Sequence, residues 1–339
     1  AVNIPVITVG RYTEPQFAEL MVKEGRADLV AFGRQSLADP AMPKKALEER
    51  LEDMTPCIAC LQGCVANMYA GNPICCLTNP FLGHEAEPIA KTENPKKVMV
   101  IGGGVAGLCA AFIAKEKGHE VTLYEAGDVL GGNMRLAAYP PGKGDITNMI
   151  RSYIHRCQKD GVKIVMNCEV TPELIKEEKP DSVIIATGSK TLILPIEGID
   201  NPAIIHGSDL LDGKRPAGKK VLVVGGGMVG CETAAFLGEQ EHDVTVIEFR
   251  DTVGADVIHE HRVYLMKDFE DYGIKEITGA KVCKFYEDGV EYETADGVRH
   301  ETRGYDSVIL SMGFRNYNPL EEKIKDLVPE THVIGDAIR

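Results

Sequence analysis

The chain has 339 residues, 44% of them hydrophobic and 26% charged, and carries a formal net charge of −14. Such a length suits about two domains, or three, and the composition is that of an ordinary globular protein. The acidic balance argues against nucleic acid as the main partner, no apolar run approaches the roughly 20 residues of a membrane helix, and Ala1–Gly10 reads as a strand and is not expected to be a signal peptide.

The first 51 residues alternate strand and helix. "IPVITVG" (4–10) is a continuous apolar run, the pattern of a strand buried on both faces. A helix is expected over Glu14–Glu24, with Phe17, Leu20, Met21 and Val22 as its apolar residues. "ADLVAFGR" (27–34) reads as the next strand, and Pro43–Leu51 as a helix.

The run "TPCIACLQGCVANMYAGNPICC" (55–76) then gathers five of the ten cysteines. A disulfide knot, a zinc site and an iron–sulfur cluster are the candidate chemistries. The remaining cysteines (109, 157, 168, 231 and 283) are scattered through apolar patterns and read as small core residues. That scatter favours a reducing, cytoplasmic location and makes the disulfide knot the weakest candidate. The ligand spacing is Cys57-x2-Cys60-x3-Cys64-x11-Cys76, with Cys75 as the alternative fourth ligand. Structural zinc usually takes two C-x-x-C pairs; a compact triple with one distant cysteine suits a cubane cluster held by a loop. Gly63, Gly71 and Pro73 would let that loop fold tightly.

Beyond the cysteines one signal occurs twice. "KVMVIGGGVAG" (97–107) runs from a strand into Gly102-x-Gly104-x-x-Gly107, then a helix over Leu108–Lys117 and a second strand carrying Glu125. "KVLVVGGGMVG" (220–230) repeats the pattern with Gly225, Gly227 and Gly230, a helix through Cys231–Gln240, and Glu248. In each copy the acid lies 18 positions past the last glycine (107 to 125; 230 to 248). The first glycine permits the tight turn, the second lets a pyrophosphate approach the backbone, and the third lets helix pack on strand. The helix N-terminus offers free N–H groups to the phosphates, and the acid accepts from ribose hydroxyls. A carboxylate at Glu248 repels a 2′-phosphate and favours NADH over NADPH, with Arg250 nearby as a counter-charge. Two such sites suggest an electron relay, which gives a cysteine-bound electron carrier a use and zinc little. A 4Fe–4S cluster on Cys57, Cys60, Cys64 and Cys76 is therefore the favoured reading.

Together with Gly131-Gly132-Asn133, "VIIATGS" (Ala186, Thr187, Gly188) and "VIGDA" (Gly335, Asp336), the two fingerprints resemble those of the glutathione-reductase-like flavoproteins. The resemblance implies FAD on the first fingerprint and NAD(P)H on the second, inserted one, with Asp336 facing the ribityl–phosphate region of the flavin. The front is similar to the last two βα units of an old-yellow-enzyme (β/α)8 barrel with its iron–sulfur extension: "VGRY", "EGRADLVAFGRQSLADP", "PCIACLQGC" and "GNPICCLTNP" carry the likeness. End to end, the chain resembles the C-terminal half of the 2,4-dienoyl-CoA reductase and enoate reductase group of NADH:flavin oxidoreductases, with trimethylamine dehydrogenase more distant.

What this implies is an α/β architecture: a truncated TIM-barrel end (1–52), an iron–sulfur loop and linker (53–95), an FAD domain (96–204 and 300–339) and an NAD(H) domain (205–299). Gly10, Arg11, Gly33 and Arg34 would lie at strand ends against the FMN phosphate. Lys143 in "PPGK" and Val170 would lie near FAD, beside Gly132, Asn133, Thr187 and Gly188. Electrons would pass from NADH to FAD, the cluster and FMN, for reduction of an enoyl or enoyl-CoA C=C. An amine-dehydrogenase-like enzyme, an NADH oxidase and a non-catalytic electron-transfer subunit remain alternatives. Self-association is compatible with the sequence, and it points to no catalytic residue. The expected barrel piece lacks six strands, and "GDAIR" should open a helix, so the chain reads as about half of a longer enzyme. On that reading, residues 1–50 in isolation would expose apolar surface.

Overall fold

The computed structural model describes residues 2–87 and 89–338. Ala1, where the first strand was expected to open, and Arg339 lie outside the described residues. The chain forms two compact units, and the α/β expectation holds in both.

The first unit takes residues 1–134, 145–186 and 319–334. Its centre is a five-stranded parallel sheet in the order 330–333, 182–185, 97–101, 120–124, 163–165. Lys97–Ile101 is apolar after its first residue, and Val98 to Ile101 are all buried, as a central parallel strand requires. The helix Val105–Glu116 follows the first fingerprint. A second helix, Ile146–Lys159, turns Ile146, Met149, Ile150, Tyr153 and Cys157 inward. Those positions recur at helical spacing and form one apolar stripe. Tyr153 meets Phe112 of the first helix edge-on, with ring centroids 5.2 Å apart.

At the front, Ile7–Val9 and Leu29–Ala31 pair in parallel, and the helix Pro15–Lys23 connects them. Both strands are shorter than the apolar runs suggest. The expectation of burial on both faces is not met: Ile7 is 59% exposed, Val9 70% and Leu29 54%. The pattern is that of a doubly covered strand; within this chain Thr8 and Val30 are half-buried, while Ile7, Val9 and Leu29 on the other face lie open. Gly33 and Arg34 were expected to close the second strand, but the strand ends at Ala31 and Arg34 opens a short helix, Arg34–Ala38. The next helix spans Met42–Leu47.

The second unit takes residues 135–144, 187–318 and 335–339. Its parallel sheet runs 275–277, 243–247, 220–224, 307–310, 205–206. An antiparallel meander, 281–286, 289–293 and 299–302, packs Phe285 and Val290 with Leu222, Val224 and Leu310. Its first hairpin turns at Glu287-Asp288, between the paired Tyr286 and Gly289, and its second at Asp296-Gly297, where Gly297 takes φ +80°. The expected return to the first domain at residue 300 is corrected: Ser307–Leu310 is hydrogen-bonded beside Lys220–Val224 in the second sheet. The chain re-enters the first unit only at Pro319.

Candidate functional site: two glycine cradles and a thiol-lined cavity

In the first cradle the glycines are required by close approach. A Cβ on Gly107 would lie 1.9 Å from the Gly102 carbonyl oxygen. Gly132 has φ +56°, and its Cβ would meet the Gly104 Cα at 3.1 Å. Gly131 donates to the Gly103 carbonyl at 2.8 Å, locking the second glycine pair onto the first loop. Glu125 accepts from the Gly103 N–H at 2.6 Å and from Gly127 at 2.7 Å. The carboxylate keeps further lone pairs for ribose hydroxyls. Beside Gly104 a Cβ would find nothing nearer than 4.0 Å, so the backbone there is open to a pyrophosphate.

The second cradle repeats the design. Gly230 approaches the Gly225 carbonyl, with 1.8 Å left for a Cβ, and Glu248 accepts from Gly226 at 2.5 Å and Arg250 at 2.9 Å. The middle glycines, Gly103 and Gly226, were not singled out as ligand-site residues. Their Cβ atoms would lie 2.9 Å from the Glu125 carboxylate and 2.8 Å from the Glu248 Cβ. Their signal was present in the G-G-G triplets. Asp256 was also missed, and no motif marks it. It accepts from the Met228 N–H at 2.9 Å and lies 3.2 Å from a Cβ on Gly227. A carboxylate thus occupies the N-terminus of Met228–Glu239, where a pyrophosphate would compete for it.

The other expected cofactor residues fall variously. Lys143 is ion-paired with Glu232 on the second fingerprint helix. Thr187 donates to the Tyr317 carbonyl, and Tyr317 donates to Gly188 at 2.9 Å, tying two crossing segments together. Asp336 accepts from Ser189 at 3.2 Å. Val170 is a core side chain packed with Met99, Ile101 and Tyr124. Asn133 opens a short helix. Gly10 follows the first strand, and Arg11 pairs with Asp145.

The cysteine run coils back on itself. Ala59 and Leu61 have φ +52° and +59°, left-handed conformations that cost about 1–3 kcal/mol each. They turn the loop around one cavity lined by Cys57, Cys60, Cys64, Cys75 and Cys76, with Arg34 and Thr78 also in its wall. All ten cysteines are free thiols. Of the scattered ones, Cys157 and Cys231 are fully buried and the partly buried Cys168 packs against the core of the first unit, so the core reading holds for these three; Cys109 and Cys283 are partly exposed. Among the described residues no three His, Cys, Asp or Glu side chains form a single-ion ligand group.

Cys75 is exposed; its N–H donates to the Gly63 carbonyl at 2.8 Å, and its backbone lies where a Gly63 Cβ would go. Cys76 instead shares the electrostatic surroundings of Cys57 and Cys60. Burial pushes those two thiols up, and the neighbouring sulfurs, including Cys76 and Cys64, add to the rise. Four sulfurs whose thiolates repel one another in a closed space are chemically suited to a cationic iron core. The loop is anchored by the helix Arg34–Ala38. Buried Gln35 accepts from the Cys57 N–H at 2.8 Å and donates to the Thr55 carbonyl at 3.0 Å. Asp39 accepts from Thr55 at 2.9 Å, and Asn79 donates to the Leu37 carbonyl at 2.9 Å. No motif pointed to this clamp.

Comparison with known proteins agrees with this geometry. The family model "Pyridine nucleotide-disulphide oxidoreductase" matches residues 90–330, and "NADH:flavin oxidoreductase / NADH oxidase family" matches residues 1–53. A protein named NADH oxidase from Thermoanaerobacter brockii is 38% identical over 345 residues, covering 99% of this chain and 53% of that protein. Cinnamate reductase from Clostridium sporogenes is 33% identical, with 99% and 50% covered. The solved structure of 2-naphthoyl-CoA reductase superposes with a TM-score of 0.95 at 34% identity, covering 99% of this chain and 52% of that one. The chain spans about half the length of the curated relatives it matches. Two carboxylate-closed glycine cradles and these matches together establish that the chain belongs to the pyridine nucleotide-disulphide oxidoreductase family, with its first 53 residues matching the NADH:flavin oxidoreductase / NADH oxidase family.

Proposed function

We propose that this chain is the NADH-, FAD- and cluster-binding half of an NADH-dependent reductase acting on an activated C=C of an enoyl or enoyl-CoA compound. The observation that carries the proposal is the co-occurrence, in one chain, of two glycine cradles and a cavity lined by Cys57, Cys60, Cys64 and Cys76. Relatives named cinnamate reductase and 2-naphthoyl-CoA reductase support the substrate class. Gly102, Gly104 and Gly107 would admit the FAD pyrophosphate, with Glu125 orienting its ribose. Gly225, Gly227, Gly230 and Glu248 would do the same for NADH. Glu248 would disfavour a 2′-phosphate by charge. When bound, the flavins supply hydride chemistry and the iron–sulfur cluster single-electron transfer. Gly10, Arg11, Gly33 and Arg34 would contribute part of an FMN site.

The test is anaerobic purification followed by a visible spectrum and by flavin, iron and sulfide analysis, then NADH-dependent dye reduction. Flavin with close to four irons and four sulfides per chain, and bleaching by NADH, are expected. Zinc in the cysteine loop, or colourless protein without nucleotide, would overturn the proposal. A relative named NADH oxidase supports a second reading, in which reduced flavin passes electrons to oxygen. Extended to its natural ends, the protein would then consume NADH in air without an enoyl compound, at a rate that adding one leaves unchanged.

A further inference from the structure

Two residues in the wall of the cysteine cavity are left unused by the ligand set. Arg34 lines the cavity, and its charge favours the thiolate of Cys57. Expected from the sequence at an FMN phosphate, Arg34 also stands in the wall of the thiol cavity. It is half-buried, and among the described residues no carboxylate pairs with it. Thr78 is 1% exposed, and its hydroxyl lies 3.3 Å from the Cys76 sulfur. Between a thiol and a hydroxyl either atom can donate. A metal-bound thiolate has no proton, so the hydroxyl must then be the donor.

Four thiolates around an iron–sulfur core make an anion, and reduction adds one more negative charge. A nearby cation and a hydrogen bond to a ligand sulfur both favour the more negative state. We propose that Arg34 and Thr78 set the reduction potential of the cluster held by this loop, raising it above the value its four cysteines alone would give. The inference rests on the cluster reading above and adds to it a role for two residues that bind no iron. Arg34 is then a tuning residue of the cluster, acting through space on the ligand sulfurs.

The experiment is a redox titration of the cluster, followed by its electron paramagnetic resonance signal in the anaerobically reconstituted chain. Wild type is compared with R34Q, R34K and T78V. Iron and sulfide content is measured for each. The expected result is full cluster content in all four, a midpoint potential shifted to more negative values in R34Q and T78V, and a potential near wild type in R34K, which keeps the charge. Loaded R34Q and T78V proteins with unchanged potentials would overturn this inference and leave the cluster reading intact. A wild-type chain that takes up no iron and sulfide would overturn the cluster reading, and this inference with it.

Discussion

Gly107 and Gly230 sit where helix meets strand, and each leaves less than 2 Å for a Cβ against a carbonyl oxygen. A carbonyl in a central loop has no room to retreat. Substituting either by alanine should cost about 2–3 kcal/mol through overpacking. Urea denaturation should register that loss, and flavin should be lost from G107A before nucleotide affinity falls in G230A. Asp256 has the opposite sense. Its carboxylate caps the N-terminus of Met228–Glu239, and a dinucleotide must displace it. D256N should therefore bind NADH about five-fold tighter, close to 1 kcal/mol of removed charge repulsion at a helix N-terminus. The gain should be absent for nicotinamide riboside, which has no phosphate; fluorescence titration with both ligands gives the comparison. The fingerprint glycines are legible because their demands are local to the backbone. Asp256 is not, because a loop brings it 28 positions back to its partner.

The helix Ile146–Lys159 shows how one element joins several. Its inner stripe packs on the first fingerprint helix, while Lys159 and His155 reach Asp53 at the end of the short turn Leu51–Asp53. Lys159 above all, with His155 and Arg50, holds the Asp53 carboxyl well below the usual carboxylate range. A depressed folded-state pKa contributes stability above the unfolded value and loses it as pH falls through the folded value. D53N should therefore cost about 1 kcal/mol at pH 7. The difference from wild type should persist down to about pH 4 and close below it, as denaturation midpoints at a series of pH values would reveal. The cysteine loop depends equally on a neighbour. Q35L would leave the Cys57 N–H and the Thr55 carbonyl without partners, a penalty of about 1–3 kcal/mol for each buried group. Reduced iron content after reconstitution is the expected readout. The strand expected over 27–34 takes in only the first residue of the short helix behind that clamp, and no helix is expected there. "FGRQSLADP" is bracketed by Gly33 and Pro40 and is too short for a helical period to appear.

Taken as one chain, the protein leaves its front strands bare. Val2, Ile4, Ile7, Val9, Leu29 and Leu47 are each more than half exposed, an apolar surface of the kind monomeric proteins seldom leave open. Concentration-dependent self-association is expected by light scattering, together with fast amide exchange at Val6–Gly10. A monodisperse species with protected amides there would contradict it. The α/β class, both dinucleotide cradles and the cysteine ligand spacing could be read along the chain, because each rests on near-neighbour steric and hydrogen-bonding demands within some 25 residues. Folding in three dimensions settled the rest. It assigned strand 307–310 to the second sheet and brought Arg34 into the wall of the cavity that the five cysteines of the loop line. Those outcomes depend on which distant segments pack together, and packing is decided by the burial of surfaces that sequence distance does not record.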